Sequence, residues 1–180
     1  VTGTGTIDVG TSTGVGTTLQ LTGSLGVTGA VTVYEGNVLD LNGQTSTSNI
    51  SVAGTGISNS GALINSSTTA GTQSGAVTLT GATSMGGTGD LTVSGIVSGA
   101  NALTKVGTGK VILTGANTYS GATTVSAGML SIGAANNLGG TSAITLSGGT
   151  LLSTGSFTLA KGFTLTASTN SGIAAASGQT

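Results

Sequence analysis

The chain has 180 residues, of which only 4% are charged, and its formal net charge is −1. A globular domain ordinarily carries about 25% charged residues. Three lysines and no arginine make no basic patch, which argues against nucleic-acid binding and against attraction to anionic membranes.

The predicted elements are short strands. In chain order they are Leu19–Leu21, Val31–Val33, Val38–Leu41, Val77–Thr80, Leu91–Val93, Val111–Thr114, Thr123–Val125, Met129–Ile132, Ile144–Leu146, Thr150–Leu152, Phe157–Leu159 and Phe163–Thr166. Most alternate an apolar residue with Thr or Ser, as a strand with one buried face does. Gly-Asn at 36–37, Asn-Gly at 42–43 and Gly-Gly at 86–87, 139–140 and 148–149 punctuate them. Glycine recurs too often for helix interiors, and no apolar run reaches ~18 residues, so no membrane-spanning helix is expected. Only Tyr34, Tyr119, Phe157 and Phe163 are aromatic, which disfavours a membrane barrel with aromatic girdles. With 36% hydrophobic residues the chain has the means to fold. The polar tract Ser58–Ser74 reads as a protruding or mobile loop.

Strands of three to five residues do not support isolated hairpins, but they suit a solenoid in which each strand pairs with its counterpart one coil away. A loose internal repeat agrees: VTLTGATSMGGTGDLTVSG at 77–95 is similar to VILTGANTYSGATTVSAG at 111–128.

The stretch at 103–133 reads LTKVGTGKVILTGANTYSGATTVSAGMLSIG. It resembles the passenger-associated repeat of bacterial autotransporter proteins. The resemblance rests on Leu103, Thr104, Lys105, Gly107, Gly109, Leu113, Gly115, Asn117, Thr118, Tyr119, Gly121, Thr123, Val125, Gly128, Leu130 and Ile132. Flanking pieces at 31–43, 61–65 and 75–81 extend it weakly over most of 25–166, while 1–24 and 167–180 share only the composition. The resemblance implies an all-β fold: a right-handed parallel β-helix with roughly 20–25 residues per coil and about seven to nine coils, near ~40 Å long at the β spacing. Residues 1–180 are read as one segment of a longer surface protein. Thr and Ser are expected in outward ladders. Lys105, Gly107, Gly109, Gly115, Asn117, Tyr119, Gly121 and Gly128 are expected to determine the fold. Asn117 is placed in a turn, bonded to main chain or to an Asn of the next coil, with Tyr119 packed over it. Lys105 is expected as an exposed turn residue.

No residue is singled out for catalysis, cofactor binding or metal binding. Without His or Cys, triads and His/Cys zinc sites are impossible within this chain. Ser156 with Lys161 and Ser98 with Lys105 do not match Ser-x-x-Lys. Glu35 and Asp40 are the one close carboxylate pair, the minimum for glycoside hydrolysis, and read as a solvated turn. GGTGD at 86–90 lacks the spacing and tandem copies of a calcium repeat. GTGK at 107–110 lacks the pattern of a phosphate loop and reads as a tight turn. The sequons Asn49-Ile-Ser51 and Asn65-Ser-Ser67 are expected by chance in Ser/Thr-rich sequence. The resemblance therefore implies a non-catalytic stalk at the bacterial cell surface, with no cofactor, that assists export and display. Its implied partner is a C-terminal outer-membrane β-barrel of the parent chain. The alternative is an adhesive or self-associating surface that meets glycans or neighbouring cells through polar faces.

Overall fold

A computed structural model of the chain describes residues 1–140, 143–166 and 170–178. Short strands stack into a parallel β-solenoid of about eight turns. Seven strands form one continuous column: Thr45–Ser46, Gly71–Gln73, Leu91–Val93, Lys110–Leu113, Met129–Ile132, Thr150–Ser153 and Gly172–Ala175. A second column runs through Ile7–Val9, Val31–Val33, Ile50–Gly54, the start of Val77–Gly87, and Val97–Ser98. A third carries Thr18–Gln20, Val38–Asp40, Leu63–Asn65, the end of Val77–Gly87, Leu103–Lys105, Thr123–Val125, Ile144–Leu146 and Phe163–Leu165. The 11-residue strand Val77–Gly87 joins the second and third columns around a corner.

Alternation sets which side chains enter the core. Leu91 and Val93 are buried and stack on Val111 and Leu113, which are buried too. Leu103, Val125, Ile144 and Leu146 fill the third column in the same way. Fully burying each such side chain contributes about 1.5–3 kcal/mol relative to exposure, and stacking makes these burials contiguous along the rod. The intervening residues face outward. Thr104, Thr124, Thr145 and Thr164 are register partners in four consecutive coils, the expected hydroxyl ladder.

Three sequence expectations are corrected. Ser58–Ser74 is not a protruding loop: it contains the strands Leu63–Asn65 and Gly71–Gln73, and Ala62, Leu63, Asn65 and Gln73 are buried. Within it Asn65 and Ser67 supply turn hydrogen bonds, while residues 58–60 and 68–70 stay exposed at the turns between strands. Phe157–Leu159 is not a strand. In the preceding coil that side carries the 3-10 turn Ala135–Asn137, which offers no extended neighbour to pair with. Phe157 and Leu159 still pack against the core. The repeat of 77–95 on 111–128 is out of structural register, because Val77 stacks on Val97 and Leu91 stacks on Val111. At the C-terminal end, Gly172–Ala175 forms a strand, and residues 167–169, 179 and 180 of the 167–180 stretch lie outside the described residues.

The register yields a test. Removing residues 91–110, one whole coil, joins Asp90 to Val111 and leaves the columns continuous. Far-ultraviolet circular dichroism is expected to keep its strand signal, with a modestly lower urea midpoint. Removing 91–100 alone breaks the register, and the strand signal is expected to fall sharply.

Candidate functional site

The repeat residues gather on the surfaces where one coil meets the next. Lys105 lies at an inward position of Leu103–Lys105, in a column with Met85, Val125 and Leu146. It is only 1% exposed. The expectation of an exposed turn lysine is thus corrected: alternation with Leu103 carries the side chain inside. There its ammonium donates to Val106 O and Gly107 O at 2.8 Å each, and to Ala127 O of the next coil at 3.1 Å. Three N–H donors meet three carbonyls, which compensates part of the desolvation of the charge. Burial pushes the Lys105 ammonium down to about 8, against a smaller upward pull from the Asp90 carboxylate. Gly128 closes this cradle. A Cβ there would stand 2.6 Å from Gly107 O and 2.9 Å from Lys105 Nζ, and its φ is +60°.

The other repeat glycines mark close main-chain approach. An added Cβ at Gly107, Gly109, Gly115 or Gly121 would run into the main chain of Gly87, Gly89, Gly95 or Asn101 in the preceding coil. Gly107 also has φ +73°.

Asn117 bonds both neighbours. Its Oδ1 accepts from Val97 N at 2.7 Å, and its Nδ2 donates to Asn137 O at 2.5 Å. Tyr119 is fully buried, with its hydroxyl 2.8 Å from Thr123 Oγ1. Gly139 packs beneath it, where a Cβ would collide with Tyr119. Burial pushes the Tyr119 phenol above its ordinary value.

Sequence reasoning missed several equivalent groups. Asn137 accepts from Gly133 N and Ala134 N at 2.9 Å and donates to Gly115 O at 3.0 Å. Buried Asn65 donates to Ser67 O, Thr69 O and Asp90 O, so this sequon is occupied structurally. For Asn137 the missed signal is a 20-residue period: GTGDLTVSG at 87–95 lies directly under GTGKVILTG at 107–115.

The carboxylates do not assemble. Asp40 is 2% exposed, which corrects the solvated-turn reading. Its oxygens accept from Gln20 Nε2, Ser66 Oγ, Asn42 N and Ser66 N at 2.6–3.0 Å. These donors, Asn42 from the same coil and Gln20 and Ser66 from the coils on either side, replace water. Glu35 is exposed. Asp90 forms an ion pair with Lys110 at 3.3 Å and accepts from Lys110 N. Lys161 donates to Gly139 O and Gly140 O. All three lysines are therefore engaged within the fold. Among the described residues, no group of three or more His, Cys, Asp or Glu is placed to hold a metal. A concavity of about 380 Å³ opens beside Asn117, Gly139 and Lys161, lined by small polar and aliphatic groups.

Residues 103–132 match the family model of the passenger-associated-transport-repeat. The chain carries an autotransporter passenger repeat. It is also 38% identical, over 169 aligned residues, to a protein of Brucella suis biovar 1 (strain 1330) named "Adhesin BmaC autotransporter". That match covers 84% of this chain and 5% of the relative, so the chain spans a small part of the relative's length. No solved structure matches. The repeat and this relative identify a cell-surface autotransporter passenger segment.

Lys105→Met keeps the stem but leaves three carbonyls without their donor, and is expected to cost about 1–3 kcal/mol in urea unfolding. Gly107→Ala is expected to cost at least as much, through its positive φ and the blocked approach to Gly87. In the wild type, the folded Lys105 pKa of about 8 lies below its unfolded value. The unfolded chain then binds more protons between about pH 8 and pH 10, so stability rises with pH across that window. Above about pH 10 the raised Tyr119 pKa acts oppositely, and stability falls. Urea midpoints at pH 7 to 11 are expected to rise and then fall in the wild type, with the rise absent in Lys105→Met.

Proposed function

We propose that the chain is a non-catalytic stalk, a single segment of a longer surface protein that holds other regions away from the cell and assists their export. What supports this most is the use of its polar groups. The amides of Asn65, Asn117 and Asn137, the Asp40 carboxylate and all three lysines are engaged in contacts within or between coils. Chemistry in this chain is spent on stacking. In this reading Lys105, Gly107, Gly109, Gly115, Asn117, Tyr119, Gly121 and Gly128 are inter-coil locks. The partner is an outer-membrane β-barrel in the parent chain. Each emerging coil finds a finished template outside the cell, and its burial biases the chain outward.

A second reading is adhesion. The printed name of the Brucella relative supports it, as does the uncharged hydroxyl ladder through Thr104, Thr124, Thr145 and Thr164. Self-association or glycan contact would use that face.

One exchange experiment separates the readings. In the parent passenger, residues 1–180 are replaced by an equal number of coils from an unrelated neutral β-solenoid. Surface display and cell attachment are both expected to persist. Loss of attachment with display intact would replace the stalk by the adhesin reading. In parallel, Gly107→Ala with Asn117→Ala is expected to lower display measured by surface proteolysis.

A further inference from the structure

One step of the interior column is polar. Gln73 and Ser46 are register partners in consecutive coils, and both are fully buried. The same column continues through Val93 and Leu113, which are apolar. Gln73 Nε2 donates to Ser48 O at 2.7 Å and to Gly75 O at 2.9 Å. Two carbonyl acceptors fix the orientation of the amide, since an exchange of its oxygen and nitrogen would set three oxygens together. Gln73 Oε1 is thereby held away from those carbonyls, and among the described residues no donor reaches it. Ser46 Oγ likewise has no partner among the described residues.

Two orphaned oxygens on stacked residues are unusual in a native interior, where buried polar atoms find a partner in protein or water. The need is for a small group that donates to Gln73 Oε1 and also exchanges a hydrogen bond with a hydroxyl. Water does both, and internal waters commonly have two to four such partners. We propose that Ser46 Oγ and Gln73 Oε1 together hold one internal water molecule between the coils of Thr45–Ser46 and Gly71–Gln73. The water donates to Gln73 Oε1, and Ser46 donates its hydroxyl proton to the water. Gln73 thus joins the two coils twice, directly through Ser48 O and by way of the water to Ser46.

An atomic-resolution crystal structure of the chain tests this without any variant. Density for an ordered water within hydrogen-bond distance of both oxygens is expected. Ser46 Oγ bonded directly to Gln73 Oε1, with no water density, overturns the proposal. Oxygen-17 relaxation dispersion on the wild type and Ser46→Ala gives a solution readout. Loss of one long-lived water in the variant is expected, with far-ultraviolet circular dichroism unchanged. An equal long-lived water count in the two folded proteins overturns the assignment.

Discussion

Everything in this fold depends on one constraint: each coil must bring its main chain within hydrogen-bonding reach of the coil before it. The strand columns satisfy the constraint directly. The corners satisfy it only where no side chain intervenes, which is why Gly107, Gly109 and Gly115 lie over Gly87, Gly89 and Gly95. Where the main chain turns away from its neighbours, its freed donors and acceptors need partners. Asn117, Asn137 and Lys105 supply them. A charge facing inward must meet the same constraint, and Lys105 does so through a complete cradle of carbonyls.

Much of the architecture was legible in the sequence. Leu91–Val93 and Ile144–Leu146 are read from apolar alternation, Thr123–Val125 and Met129–Ile132 lie in the stretch that carries the family resemblance, and all four have those bounds in the structure. Phe157–Leu159 alternates equally well but is not a strand, because a parallel strand needs an extended neighbour and Ala135–Asn137 is not one. Alternation is a local property and pairing is not.

The burial of polar residues was less legible. Lys105, Asp40 and Asn65 are types that ordinarily face water. Lys105 was betrayed by its inward parity after Leu103. Asp40 had no such mark, since its donors Gln20 and Ser66 come from coils on either side. A 20-residue register relates Lys105 to Met85 and Val125, though a similar-looking segment 34 positions away obscures it, whereas Asp40 and Asn65 meet partners 26 and 25 positions on, where the coils are longer. Composition repeats more freely here than structure does.

The strands run across the rod, so their hydrogen bonds point along it. A pull along the axis therefore loads the coil-to-coil bonds in series, and the weakest interface yields first. A sideways push instead spreads over all three columns at once. The strand Val77–Gly87 turns a corner through a register shift between Leu79 and Thr83 and couples two of those columns. Such a rod is stiff against shear and bending, and under tension it extends by peeling one coil at a time.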